Sequence, residues 1–131
     1  AQYGIDTYPS RRIWFEKEGR YYLALEGRMF VGGPKGPTNT PYPISYRAIT
    51  PQSNECTNLL VPVCFSASHL GYASARMEPV FMICGESAGI AAVHALDLNS
   101  NVQDIDMKRY QRHLKELSQR LSWPVKKKIK R

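Results

Sequence analysis

Residues 85–89 read G-E-S-A-G, the G-x-S-x-G spelling of a hydrolase nucleophile elbow centred on Ser87. An elbow needs a strand, a strained turn that exposes the serine, and a following helix, with a histidine base oriented by an acid. The flanking FMIC and IAAVHAL have the right character for that strand and that helix. The base is the difficulty, because only His94 and His113 follow Ser87. His94 lies about two turns further along the same helix and cannot reach back. His113 comes 26 residues after Ser87, too few for the strands and helices a hydrolase sheet places in that gap. Met77-Glu78-Pro79 sets a proline in a first helical turn with an acid at its positive end, which favours one continuous helix through Ser87. The serine hydrolase is therefore an alternative reading. The small residues Gly85, Ala88, Gly89, Ala91 and Ala92 are expected to serve close approach instead. Glycine inside a helix costs about 1 kcal/mol relative to alanine, which is tolerated where a backbone, a sheet or a flat ligand must come near.

The totals narrow the field. A chain of 131 residues, 43% hydrophobic, makes one domain with a real core. Its net charge of +7 would ordinarily raise nucleic acid as a partner. Five cations crowd residues 126–131, and removing them from +7 leaves +2, so the charge reads as a solvated basic tail on a domain spanning 1–125. No nucleic-acid role is assigned. Cys56, Cys64 and Cys84 are odd in number and lack metal-ligand spacing, so they read as buried thiols, with no metal site. The opening AQYGIDTYPS has neither the basic start nor the apolar run of a leader, and the compartment stays unassigned.

The elements that must position any chemistry follow from pattern. RRIWFEKEGRYYLALEGRMFV is β-rich and broken at Glu18-Gly19 and Glu26-Gly27, which predicts strands near Ile13–Phe15, Tyr21–Leu25 and Met29–Val31. Residues 32–43 are Gly/Pro-rich and read as a loop. ISYRAI, residues 44–49, reads as a short extended piece, NLLVPV, residues 58–63, as a buried strand ending at Pro62, and residues 64–76 as a loop. Residues 78–97 predict a helix apolar on nearly every side and buried in protein, with Glu86, Ser87 and His94 arguing against a membrane span. Met107, Tyr110, Leu114, Leu117 and Leu121 recur at spacings of 3 and 4, which predicts an amphipathic helix near 105–121 capped by Asp104 or Asp106. The fold class is α+β, with a β-rich N-terminal part ahead of these two helices.

Residues 41–96 also resemble the C-terminal portion of a bacterial family of FAD-dependent oxidoreductases. The resemblance rests on Arg47, the Asn58–Val61 run, Ser66, Ser68, His69, Arg76, Pro79, Gly85, Ala88 and Gly89 in their order and spacing. YGIDTYPSRRI and VQDIDMKRYQRHL extend it over most of the chain. Some proteins with this pattern carry the name xanthan lyase, a different reaction class. The resemblance implies a helix whose N-terminus points at the flavin's pyrimidine edge, which gains negative charge on reduction. Met77, Glu78 and Val80 would supply backbone there, Pro79 would shape the turn without an N–H, and Arg76 would add positive charge or serve structure. His69 would face substrate as acid or base, or hydrogen-bond within its loop. Arg47 would contact a substrate anion or form a salt bridge, and Ser66 and Ser68 read as loop hydrogen-bonding groups.

Two departures shape the expectation. Glu86 stands where the family often has Gln, and no G-x-G-x-x-G occurs in the chain. The segment is thus expected to be an incomplete part of a larger FAD-binding α/β fold. It would complete the flavin and substrate site of a parent whose dinucleotide-binding domain is its partner, with an unidentified organic substrate. Alone it is expected to bind FAD weakly or not at all, to be inactive, and to expose apolar surface through which it could form a homodimer. In the lyase alternative, Arg47, His69 and Tyr72 would bind an acidic sugar and move its proton.

Overall fold

The computed structural model describes residues 1–31 and 40–123. Most of the 32–43 loop and all of the basic 126–131 run lie outside those residues.

The longest element is the helix α2, Glu78–Asp97, over the range its sequence predicts. Pro79 in its first turn is pre-set for helix entry. Asn99, at φ 48°, ends it in the left-handed region, and the Ser100 N–H donates to the Ala95 carbonyl at 2.9 Å. Cys84, Ala88, Ala91, His94 and Ala95 make its buried face, with Ala91 fully covered. This face serves two cores. Ala91 and Ala95 pack with Val102, Ile105, Tyr110 and Leu114. Cys84 and Ala88 pack with Ile49, Phe65 and Ala75. Tyr46 touches both clusters, lies 5.3 Å from the Tyr110 ring, and donates its hydroxyl to the Val102 carbonyl at 2.6 Å. The opposite face of α2 is bare: Met82, Val93 and Leu96 are 73, 52 and 81% exposed. By length and composition α2 is apolar enough to cross a bilayer, and one of its faces is packed within the chain.

The helix α3 covers Met107–Glu116, shorter than the 105–121 pattern. Asp106, not Asp104, is the N-cap, accepting from the Lys108 and Arg109 N–H groups at 2.9 and 3.1 Å. Those bonds hold the Asp106 carboxyl below the usual range. Ser118, at φ 65°, stops the helix, and Gln119 closes it by donating its N–H to the Leu114 carbonyl. Tyr110 and Leu114 are buried, while Leu117 is 47% exposed and Leu121 returns to the core from beyond the helix.

Three local expectations are corrected. Residues 46–49 form a 3-10 helix rather than an extended piece, because the Ser45 hydroxyl accepts from the Arg47 N–H at 3.3 Å and turns the chain. NLLVPV is not a strand. Its Val61 N–H donates to the Ile49 carbonyl at 2.8 Å, and Pro62 has no N–H with which to continue a ladder. Residues 69–75 form a helix, α1, within the predicted loop, started by Ser68, whose hydroxyl accepts from the Gly71 N–H at 3.1 Å. The run Ala73-Ser74-Ala75 is buried, and its small side chains bring α1 close to its neighbours.

The β-rich part makes two antiparallel pairs. Strand β1, Ile5–Thr7, pairs with β4, Met29–Val31. Thr7, 4% exposed, donates its hydroxyl to the Gly27 carbonyl and accepts from the Met29 N–H, each at 2.8 Å. Strands β2, Arg11–Lys17, and β3, Arg20–Glu26, form a hairpin longer than the predicted strands. Glu18 and Gly19, at φ 55° and 71°, make a two-residue turn with both central residues left-handed, the I′ geometry that matches strand twist. Arg11 binds Glu26 at its base at 2.6 Å.

Because α2 meets α3 across Ala91, Ala91→Leu should destabilise the chain by about 1–3 kcal/mol through overpacking, read by urea denaturation. Burial first, and mutual repulsion second, push the Tyr46 hydroxyl from 10 up to about 12. Burial likewise takes Tyr110 to about 12. The stability these protonated hydroxyls contribute is intact below pH 10 and is lost as pH rises through 12. A Tyr46→Phe/Tyr110→Phe double variant should therefore show a shallower alkaline loss of stability than the parent chain. An unchanged alkaline slope would exclude these two groups as its origin.

Candidate functional site

The junction of α1 and α2 gathers most of the predicted site. Met77 is the N-cap of α2 in extended backbone, with no side-chain cap, and Glu78 and Pro79 begin the helix. The Val80 N–H is taken by the Met77 carbonyl at 2.9 Å. Among the described residues, the Met77 and Glu78 N–H groups have no acceptor. Those two donors lie at the positive end of the helix dipole.

Arg76 caps the C-terminus of α1 and is held in place. Its guanidinium lies 3.6 Å from the Asp6 carboxylate, donates to the Asp6 carbonyl at 3.5 Å, and sits 5.4 Å from the centre of the Tyr8 ring. It thus pins β1 to the helical junction, and Asp6 offsets part of its charge. His69 is the first residue of α1 and is exposed. A seven-residue helix is about 10 Å long, so His69 and Arg76 stand at opposite ends of α1.

Arg47 lies elsewhere. It is exposed on the 3-10 helix and lines a cavity of about 440 Å³ with Val80, Ile83, Ser87, Tyr110 and Arg120. Of the predicted site residues, the cavity contains Arg47 and Val80 together. His69, Arg76, Met77, Glu78 and Pro79 are not among its lining residues. The lining carries the cations Arg47 and Arg120 and no carboxylate, so it is an apolar hollow with positive charge at its wall.

The hydrolase reading is overturned. Ser87 lies within the continuous helix α2, not on a strained turn. Its hydroxyl donates to the Gln119 side-chain carbonyl at 2.9 Å, and the Gln119 amide in turn donates to Glu86. The two imidazoles are turned on each other, with His94 Nε2 and His113 Nδ1 3.1 Å apart. His94 is 3% exposed, stands edge-on to Tyr110, and its Nδ1 has no partner among the described residues. One ring must give the shared hydrogen and the other accept it, so this pair fastens α2 to α3 and leaves Ser87 without a base.

Other functional groups escaped the sequence reading. Ser74, 3% exposed, accepts from the Tyr42 hydroxyl at 2.6 Å and donates to the Tyr3 carbonyl at 2.6 Å, tying α1 to two distant segments. The available signal was Ser68 ahead of H-L-G-Y-A-S-A, a capped short helix with small residues on one side. Asp6 as the anchor of Arg76 left no local signal at all. Among the cysteines, burial raises the Cys84 thiol, as expected of an inert core thiol, while Cys64 is exposed and Cys56 half-buried, against the expectation that all three are interior.

Glycine placement is the most informative feature. Ala88 and Ala91 face inward, but a Cβ built on Gly85 or Gly89 would meet nothing within 4 Å. Among the described residues nothing fills the space beside those two glycines.

No curated protein and no solved structure matches the chain. A family model described as FAD dependent oxidoreductase matches residues 1–114, which takes in β1 to β4, α1, α2 and most of α3. The chain therefore belongs to the FAD dependent oxidoreductase family.

Proposed function

We propose that this chain is the C-terminal segment of an FAD-dependent oxidoreductase, closing a flavin and substrate site whose dinucleotide grip lies elsewhere in its parent. The observation that carries the reading is the outward face of α2. Two mid-helix glycines with open space before them, flanked by exposed Met82, Val93 and Leu96, mark a face built for close approach by another surface. The partner is the dinucleotide-binding domain of the same parent. The lack of G-x-G-x-x-G in the sequence accords with this division.

The residues present fit one edge of a flavin. The Met77 and Glu78 N–H groups would hold its pyrimidine edge, Pro79 and Val80 shape the turn that aims them, and Arg76 adds a partly offset positive charge. A helix terminus of this kind favours an anion by about 0.3–1 kcal/mol when exposed, and up to about 2 kcal/mol when partly buried. The flavin, when bound, takes hydride from an organic substrate or returns it. Exposed His69 is the acid or base of this chain, and Arg47 the contact for a substrate anion at the cavity wall. Neither group has substrate to act on until the parent's other half completes the pocket, so the segment alone turns nothing over.

Two outcomes test this. Gly85→Ala and Gly89→Ala should each raise the stability of the 131-residue chain by about 1 kcal/mol in denaturant titrations, since helix propensity improves and nothing clashes. Larger replacements at the same positions, such as Gly89→Leu, should strip flavin from the full-length parent; a parent variant with full flavin content and activity would refute the docking face. Separately, the 131-residue chain dialysed against FAD should emerge colourless while the parent is yellow. One FAD retained per isolated chain would show that the grip is here after all.

A further inference from the structure

The β2–β3 hairpin carries both of its edges unpaired among the described residues, and a two-stranded ribbon is marginal in water by itself. Both of its faces are apolar. Ile13, Phe15 and Tyr22 are 41–46% exposed on one, and Trp14, Tyr21 and Leu23 are 42–76% exposed on the other.

The turn determines which backbone groups are open. Lys17 and Arg20 close a two-residue turn, and hydrogen-bonded pairs alternate with non-hydrogen-bonded pairs from there. Tyr22 and Ala24 thus direct their N–H and C=O groups at β2. Tyr21, Leu23 and Leu25 direct theirs outward, along the free edge of β3.

That edge is complementary to itself. With a second β3 laid antiparallel about a two-fold axis at Leu23, Leu23 meets its counterpart, Tyr21 meets Leu25, Tyr22 meets Ala24, and Arg20 meets Glu26. The outward amides then face outward carbonyls, for about six new ladder bonds. At both ends of the ladder Arg20 meets a Glu26 that its own chain's Arg11 already binds, which sets the carboxylate between two cations. The same operation on β2 about Trp14 sets Arg11 against Lys17, a like-charge pair at each end, with Arg12 against Glu16 inside it. The β3 ladder holds no like-charge pair, so charge favours β3 over β2. We propose that the outer edge of β3 is an interface between two copies of this chain, joining their hairpins into a four-stranded antiparallel sheet. The contact is isologous and closes on itself, so it ends at a dimer. An edge this short makes a weak, concentration-dependent association.

The test uses the 131-residue chain between about 10 μM and 1 mM, the range of affinity a small interface supports. Sedimentation equilibrium should show the mass rising from 14.9 kDa towards twice that value. Amide exchange should slow at Tyr21, Leu23 and Leu25 as the dimer forms. Leu23→Lys sets two ammonium groups face to face on the axis and should hold the chain monomeric, with the Tyr22 and Ala24 amides still protected as proof that the hairpin is intact. Trp14→Lys, the cross-strand neighbour of Leu23 on β2, should still dimerise. A monomer across the whole range, or a Leu23→Lys dimer as tight as the unmodified one, would overturn the proposal. So would a dimer in which the three outward amides exchange freely, which would move the association to α2. Protection of those amides in a monomeric full-length parent would also overturn it, because a strand of the parent would then hold the edge. No arm of the experiment requires flavin, so its failure is separable from failure of the flavoprotein reading.

Discussion

The structure depends on how closely other elements can approach α2. Alanine at positions 88, 91 and 95 keeps much of the inward face down to methyl groups, and two clusters of larger residues close over it from α3 and from the 3-10 and α1 region. Tyr110, Leu114, Ile49 and Phe65 supply the volume that the helix does not. Small on one side and large on the other is how a core interdigitates at native density. One helix thus belongs to both cores, and Tyr46 joins them by setting its ring at 60° to that of Tyr110 while bonding Val102. Both phenol hydroxyls along this seam are satisfied within it. The Tyr110 hydroxyl donates to the Ser87 carbonyl at 3.0 Å. Burial of both phenols is why their protons are held so firmly.

The same helix carries a second kind of small residue for a different purpose. The alanines are filled against, whereas the glycines are not. This asymmetry separates the packed face of the helix from its open one. At the amino end of α2 the division recurs in electrostatic form. Arg76 is anchored on Asp6 and Tyr8, so its position is fixed by β1 rather than by a ligand, while the neighbouring Met77 and Glu78 amides stay open.

Long periodic patterns were legible before any coordinates. The span of α2, the inward Tyr110 and Leu114 of α3, and the Glu18-Gly19 turn follow from helical spacing, a first-turn proline and left-handed turn residues. The short elements were not legible, because local side-chain bonds decide them. Ser45 and Ser68 each turn the chain with one hydroxyl, and a serine in a small polar run looks the same whether it caps a helix or decorates a loop. Strand β1 escaped because three residues carry no period, and its reason to be extended lies in Thr7 and Met29, far apart in sequence. For the site, order and spacing led to the residues around the α1–α2 junction. They did not reveal that Arg47 stands apart in its own cavity, or that Asp6 restrains Arg76, since both facts are tertiary.

The pairing of Thr7 with Met29 sets where the β2–β3 ribbon leaves the body of the chain and where it comes back. Departure and return are side by side: Ser10 and Glu26 share a backbone bond of 2.8 Å, and Gly27, at φ 77°, sits so near Ser10 that a Cβ would crowd its hydroxyl at 3.0 Å. Neither core draws a residue from the ribbon. It is thus an appendage on a closed neck, where a graft of different length and sequence would add little closure entropy. The chain has, in effect, a socket at which its outer arm can be exchanged while the two cores fold unchanged.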